Sequence, residues 1–222
     1  MASLPESPYS VYTSVHFLHY SEFALNLSDP IRSAVPCLHG PVLGALARTT
    51  APLRLTDVHE RVGDASVAGV RKVLLTLLDD GLVNKVPGGY VLNREHVAAD
   101  AVTSLASLHG ALVGRIRSWL EQRDEPVVAA GLYGSAARRD GGSDSDIDLV
   151  VVVRDGESDQ LADELADVVE RWTGNRGHVQ GLTVEEHARL IDEALPLVAS
   201  WERDLQPIIG TRRTLLGVAG TA

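Results

Sequence analysis

Cysteine, long apolar runs and positive charge are all scarce in this sequence. Cys37 is the only cysteine, so no disulfide can form within the chain, and a reducing compartment is expected. No segment approaches the roughly 20 consecutive apolar residues that a membrane-spanning helix needs, and residues 1–14 lack the basic and apolar regions of a secretory leader. We therefore predict a cytoplasmic protein without a membrane partner.

Basic residues are outnumbered by acidic ones, because 20 Lys and Arg face 30 Asp and Glu and give a formal net charge of -10. This balance argues against broad attraction of the whole chain to nucleic acid or anionic lipid, although a local basic surface remains compatible with it. Hydrophobic residues at 45% and charged residues at 23% are typical of a globular chain, and 222 residues favour two compact units.

The first 96 residues divide into an arm and a helical unit. Residues 1–34 show no sustained period and are interpreted as an N-terminal arm with one short helix around residues 16–26. Residues 35–96 contain three helical patterns and then two short strands: Gly40–Arg48, Thr56–Val62, Ser66–Asp80, Leu82–Val86 and Tyr90–Leu92. Thr56 and Ser66 are candidate N-caps, and Gly81 is a candidate C-cap. This order of elements resembles the winged helix-turn-helix domain of bacterial transcriptional regulators.

The remaining residues predict a linking helix and an α/β unit. Apolar residues at helical spacing predict one long helix over Val97–Gln122, and we assign residues 97–123 to this link. Residues 124–222 alternate strands and helices, with predicted strands and helices at Val127–Tyr133, Ile147–Val153, Ser158–Trp172, His178–Leu182, Val184–Glu193 and around Trp201. The expected fold class is α/β (α+β), a winged helix followed by a small mixed sheet.

The most informative segment lies between the first two strands of that unit. Gly134 and Ser135 follow an apolar strand and precede a short helix-capable stretch, so their backbone N–H groups can face an anion. Asp146 and Asp148 are separated by one residue at the start of a strand, which places both carboxylates on the same face. Paired carboxylates favour hard divalent ions, so Mg²⁺ or Mn²⁺ is the expected cofactor.

This segment resembles the signature of the DNA polymerase β-like nucleotidyltransferase superfamily, particularly its minimal bacterial members. The resemblance consists of the strand, the Gly-Ser pair, the Asp-x-Asp pair eleven residues after Ser135, and the apolar strand that follows. It implies that Asp146 and Asp148 bind the catalytic metals and that Gly134 and Ser135 hold the phosphates of a nucleoside triphosphate. An acceptor would then attack the α-phosphorus and release pyrophosphate.

The sequence departs from this superfamily at the third carboxylate. Active members commonly carry it on a later strand, and alignment with that strand puts Gln180 at the expected position. Glutamine can bind a metal but cannot accept a proton as a base. The candidate substitutes are acidic residues nearby in sequence, none of which stands out: Glu185, Glu186, Asp144 and Asp140.

Several basic residues are further candidates for binding. Arg138 and Arg139 follow the Gly-Ser pair and either neutralise phosphate charge or form a solvated basic pair. His178 and His187 show no metal-ligand spacing and are interpreted as polar surface or core residues. A DNA contact would involve basic residues of the third helix and the hairpin, offset by Asp64, Asp79 and Asp80: Arg71, Lys72 and Lys85.

Three functions are compatible with these patterns. The first is a metal-dependent nucleotidyltransferase acting on an unidentified acceptor. The second is a DNA-binding transcriptional regulator whose nucleotidyltransferase-like domain senses a nucleotide without efficient catalysis. The third is a scaffold in which both domains form a homodimer. The winged helix fits either DNA or a protein partner, because a fold alone does not fix its function.

Overall fold

A computed structural model describes residues 24–124, 126–154, 156–193 and 196–217. Most of the predicted arm, including nearly all of its expected helix, lies outside these residues. The described part forms a mixed α+β fold with eleven helices and two small sheets, which confirms the predicted fold class. None of the described helices is long and apolar enough to cross a membrane.

The N-terminal helical region contains the three predicted helices and the hairpin, preceded by one short helix. Its elements are α1 (Pro30–Ala34), α2 (His39–Ala47), α3 (Leu55–Val62), α4 (Val67–Asp79), β1 (Val83–Val86) and β2 (Gly89–Leu92). The two strands pair antiparallel, and an isolated bridge joins Leu53 to Tyr90 beside them. Their apolar faces converge on one core that includes Val58, Leu74 and Leu92.

One of the two predicted N-caps is wrong. Ser66 caps α4 as expected, because its Oγ accepts a hydrogen bond from the Gly69 N–H at 3.1 Å. Thr56 lies inside α3 instead of at its start. The cap position belongs to Arg54, whose backbone N–H donates to Asp57 Oδ2 at 2.9 Å. At the start of α3, the acidic side chain of Asp57 therefore accepts a backbone hydrogen bond, where a hydroxyl cap was expected.

The predicted long linking helix is divided in two. Helix α5 (Ala99–Ala106) and helix α6 (Leu108–Glu121) meet at Ser107. Val102 of α5 packs in the core of the helical region, whereas Leu112 and Ile116 of α6 pack in the core of the second sheet. The break follows from this division, because each half turns its apolar face toward a different core.

The second sheet has four strands in the order β5-β4-β3-β6. The elements in chain order are β3 (Val127–Tyr133), α7 (Gly134–Arg138), β4 (Ile147–Val153), α8 (Ser158–Thr173), β5 (Gly177–Thr183), α9 (Val184–Asp192), α10 (Pro196–Asp204), β6 (Gln206–Ile209) and α11 (Arg212–Leu215). Strands β4 and β5 are parallel, and β3 is antiparallel to β4 and β6. The sequence analysis did not predict β6 or α11. Strand β6 is a short edge strand that contains Pro207, and proline weakens a strand pattern in sequence.

Alternation along β4 decides which side of this sheet carries the polar residues. Leu149 and Val151 face a core shared with α6 and α8, whereas Val150 and Val152 face a core shared with α10 and α11. The two-residue period places Asp148 on the second side, in line with Val150. The described segment before α1 also joins the first of these cores through Leu27.

Candidate nucleotide-binding site

The turn from β3 into α7 brings backbone and carboxylate into close contact. Gly134 follows β3 with φ of 69°, a left-handed conformation that favours glycine. Tyr133 and Asp148 are direct partners across β3 and β4. A Cβ atom at Gly134 would collide with the carboxylate oxygen Oδ2 of Asp148. Position 134 therefore requires glycine for both its conformation and its space.

The two predicted metal-binding carboxylates have different environments. Asp146 is exposed just before β4, and its carboxylate accepts no hydrogen bond from the described residues. Asp148 is half-buried, and its Oδ1 lies 3.1 Å from Nδ1 of His178. Burial raises the pKa of Asp148 above its ordinary value, and the negative charges of Asp146 and Asp204 raise it further, while His178 acts in the opposite direction. A bound cation would relieve this penalty on the ionised form.

The strand register places His178, two residues before Gln180, directly opposite Asp148. His178 is the direct partner of Asp148, and Gln180 is the partner of Val150, one side-chain position further along the same face. His178 is thus an exposed polar residue, as expected, but it also contacts the site. His187, the other histidine considered, is a buried core residue whose Nε2 lies 2.9 Å from the carbonyl oxygen of Leu215.

Asp204, which the sequence analysis missed, is a third carboxylate at this turn. Its side chain is only 3% exposed, and its Oδ1 accepts a hydrogen bond from the Gly134 N–H at 3.4 Å. Its Oδ2 is ion-paired with Arg138. One feature of the sequence could have indicated this residue: Asp204 follows Trp201 by three positions on the same helix. Because Trp201 is fully buried, this spacing puts Asp204 toward the buried face of the helix.

The two arginines after the Gly-Ser pair are not equivalent. Arg138 bonds both Asp204 and Asp140, with Nε 2.9 Å from Oδ2 of Asp140. Arg139 is exposed at the end of α7 with φ of 61°, and its guanidinium makes no hydrogen bond or ion pair with the described residues. Arg139 is therefore the more available cation for a phosphate group.

A buried histidine supports α7 from behind. Nε2 of His109, on α6, lies 2.9 Å from the carbonyl oxygen of Ala136. Burial lowers the pKa of His109, and the neutral ring must carry its hydrogen on Nε2 because a carbonyl only accepts. This contact fixes the tautomer and joins the start of α6 to α7.

One cavity borders a predicted metal-binding carboxylate. It has a volume of about 220 Å³, lies beside Asp146 and includes Asp144, Glu170, Asn175 and Arg176 in its wall. A second cavity, of about 320 Å³, lies farther along β5 beside Gln180 and Arg189 and does not include Asp146 or Asp148 in its wall. Both cavities are open to solvent.

The strand, turn and carboxylates described above all fall within one matched region. Residues 113–214 match the family model of the nucleotidyltransferase domain. The match covers slightly less than half of the chain and leaves out the N-terminal helical region. No curated protein and no solved structure matches the chain. The family supports nucleotidyl transfer as the general chemistry of this nucleotidyltransferase region.

The donor set of the nucleotidyltransferase region fits a divalent ion that also takes ligands from a nucleotide. No group of three or more His, Cys, Asp or Glu side chains among the described residues is arranged to hold a metal by itself. Mg²⁺ is commonly bound by one or two carboxylates together with substrate phosphates. The free carboxylate of Asp146 and the desolvated carboxylate of Asp148 are suited to that arrangement.

Proposed function

We propose that this chain transfers a nucleoside monophosphate from a nucleoside triphosphate to an acceptor, with Asp146 and Asp148 holding Mg²⁺ or Mn²⁺. The observation that carries the proposal is the contact between the Gly134 turn and the Asp148 carboxylate. A phosphate group at that turn would lie next to the metal ligands. The match of the surrounding residues to the nucleotidyltransferase domain supports the same chemistry.

In the proposed reaction, the acceptor oxygen forms a bond to the α-phosphorus and loses its proton. The bond from that phosphorus to the bridging oxygen breaks, and pyrophosphate leaves. A divalent ion held by Asp146 and Asp148 would supply neutralisation of the charge on the transferred phosphate and on the leaving pyrophosphate. Gly134 and Ser135 offer backbone N–H groups to the phosphates, and the exposed guanidinium of Arg139 neutralises part of their charge.

A phosphate that binds the Gly134 N–H would replace the carboxylate of Asp204 there. Asp204 and Arg138 would then remain paired with each other at the edge of the phosphate site. In this arrangement Arg138 neutralises Asp204, so that a carboxylate near the triphosphate does not repel it.

The group that receives the acceptor's proton must be an unengaged base. Of the acidic candidates, Asp140 is paired with Arg138 at 2.9 Å. Glu186 accepts hydrogen bonds from the backbone and hydroxyl of Thr183 at 2.8 and 2.9 Å. Asp144 borders the same cavity as Asp146, which favours it over Glu185 for this role.

Pyrophosphate release from each of the four ribonucleoside triphosphates tests the proposal. The wild type is assayed with Mg²⁺ or Mn²⁺ in a bacterial lysate that supplies acceptors, beside the double variant Asp146→Asn, Asp148→Asn. We expect release above the lysate background that the double variant lacks. The control is Asp163→Asn, Asp167→Asn, which makes the same charge change on the exposed face of α8. Equal release by the wild type and the Asp146, Asp148 variant would contradict the assignment.

A second candidate function is a DNA-binding regulator whose nucleotidyltransferase region senses a nucleotide. The observation that favours it is the exposed basic group of Arg71 and Lys72 on α4 and Lys85 on β1, in a region with the element order of a winged helix. Metal-dependent nucleotide binding without pyrophosphate release would support the regulator over the enzyme.

A further inference from the structure

The turn between α8 and β5 contains a buried amide side chain whose two N–H donors and carbonyl oxygen are all hydrogen-bonded. Asn175 is 2% exposed, and its Oδ1 accepts a hydrogen bond from the Leu25 N–H at 3.0 Å. Its Nδ2 donates to the carbonyl oxygen of Ser143 at 3.3 Å and to that of Ser145 at 3.1 Å. Asn175 therefore joins the segment before α1 to the loop that precedes β4.

Asn175 is itself held firmly. Helix α8 ends at Gly174 in the left-handed conformation, with φ of 76°. The Asn175 N–H then donates to Oγ1 of Thr173 at 3.1 Å, and that hydroxyl donates to the carbonyl oxygen of Val169 at 2.7 Å. The last turn of α8 thus fixes the backbone of Asn175, from which the side-chain amide extends to the loop before β4.

The dipeptide 175–176 fixes the backbone on both sides of Asp146. The carbonyl just before Asp146 belongs to Ser145 and accepts from Asn175. The N–H just after it belongs to Ile147 and donates to the Arg176 carbonyl oxygen at 2.9 Å. The side chain of Asp146 is exposed and has no hydrogen-bond partner among the described residues, so these two backbone contacts fix the position from which its carboxylate extends.

We propose that Asn175 is a positioning residue that holds the metal-binding carboxylate of Asp146 in place. The assignment rests on the proposed function, since it assumes that Asp146 binds a divalent ion. Residues that orient a metal ligand typically change metal affinity about 10–100-fold when they are replaced. Loss of both Nδ2 hydrogen bonds should therefore lower the affinity for the ion without unfolding the protein.

Two variants distinguish the effect of losing the Nδ2 donors from the effect of adding a negative charge. Asn175→Asp has the same shape and still accepts from Leu25, but its carboxylate cannot donate to Ser143 or Ser145. Asn175→Ala removes the donors and adds no charge. The matched control is Asn93→Asp in the helical region, where Nδ2 donates to the Gly81 carbonyl oxygen at 2.8 Å and Oδ1 accepts from Glu95.

The experiment measures two quantities on the full chain. Hydrogen exchange of peptides covering residues 139–147 reports on the loop, and a Mn²⁺ titration with a non-hydrolysable nucleoside triphosphate reports on the metal. We expect faster exchange in this loop and a Mn²⁺ midpoint raised about tenfold or more in both Asn175 variants. Asn93→Asp should leave both quantities unchanged.

Each other outcome overturns the inference in a recognisable way. Unchanged exchange means that Asn175 does not hold the loop. Faster exchange in the Asn175 variants with an unchanged Mn²⁺ midpoint means that Asn175 holds the loop but does not position Asp146 for metal binding. The proposed function is not affected by that result. If the wild type itself binds no Mn²⁺ with the nucleotide, the proposed function fails, and this role of Asn175 fails with it.

Discussion

Gly134 and Asp148 lie against each other where β3 ends and β4 begins. The glycine adopts a positive φ, and the space that a Cβ would need is filled by the Asp148 carboxylate. Asp148 in turn carries a raised pKa, caused first by burial. At the scale of single residues, the site thus combines a backbone conformation that glycine adopts easily with a partly buried charge that costs stability, and both suit phosphate and metal binding.

Gly134→Ala should weaken metal-dependent nucleotide binding. An alanine in the left-handed conformation costs about 1–2 kcal/mol, and its Cβ must also displace the Asp148 carboxylate. Titration calorimetry with Mn²⁺ and a non-hydrolysable nucleoside triphosphate measures the loss, which we expect to be about tenfold or more.

Gly81→Ala is the matched control for that variant. Gly81 also has a positive φ, 73°, but a Cβ there would meet no atom within 4 Å. It should lower the thermal stability in a similar way and leave nucleotide binding intact. Equal loss of binding in both variants would attribute the effect at Gly134 to general destabilisation.

Without metal, Asp148→Asn should stabilise the protein at neutral pH. The pKa of Asp148 is raised in the folded state, so the folded protein holds this proton more tightly than the unfolded chain does. The ionised carboxylate therefore lowers the free energy of unfolding as the pH rises from the unfolded to the folded pKa. Below the unfolded pKa the carboxyl is neutral in both states and the penalty disappears.

Urea unfolding of the wild type and of Asp148→Asn without metal, from about pH 3 to about pH 7, tests the expected direction of the change in the free energy of unfolding. The stability advantage of Asp148→Asn should be small at the acidic end and grow toward neutral pH. An advantage that is constant across the range would show that lost charge is not its cause.

At the scale of elements, long apolar runs predicted the ends of strands correctly, whereas short irregular segments did not indicate a strand. The apolar runs predicted β3 and β4 with their observed ends, Val127–Tyr133 and Ile147–Val153, because these strands are buried and apolar along most of their length. The short strand β6 was not predicted, since four residues with a proline carry no period. The break at Ser107 was also missed, because helical spacing continues through it while the partner core changes.

Helix α7 shows how elements far apart in sequence support one turn. His109 of α6 contacts the Ala136 carbonyl, and Asp204 at the end of α10 binds the Gly134 N–H and Arg138. Five residues are too short to form a stable helix alone, so these contacts stabilise α7. Neither partner lies within the motif that indicated the site.

At the scale of the whole molecule, the segment before α2 links the two parts of the chain. Leu27 packs in the core of the second sheet and Ile31 in the core of the helical region, four residues later. Leu25 donates to the turn that holds the loop before Asp146. The segment from Leu25 to Ile31 thereby connects the core of the helical region with the turn that contacts the loop before Asp146.

If the helical region binds DNA, Arg71→Ala with Lys72→Ala should weaken binding and lower its salt dependence. Each lost phosphate contact reduces the slope of log affinity against log salt by about one, so a decrease of about two is expected. Fluorescence anisotropy of a labelled duplex at several salt concentrations measures it. Arg117→Ala with Arg171→Ala removes two exposed charges from α6 and α8 and should change little. An unaltered slope in the α4 variant would favour a protein partner.

The sequence by itself determined the local features: the buried strands, the Gly-Ser turn, the Asp-x-Asp pair and the order of helices before the hairpin. These depend on periodicity and on residue types within about twenty positions, so they can be read along the chain. Only the tertiary structure decided that His178 lies opposite Asp148, that Asp204 joins the turn, and that Asn175 holds the loop before Asp146. Those contacts join residues 30 to 70 positions apart. Strand register and helix packing, which no local pattern encodes, bring these residues together.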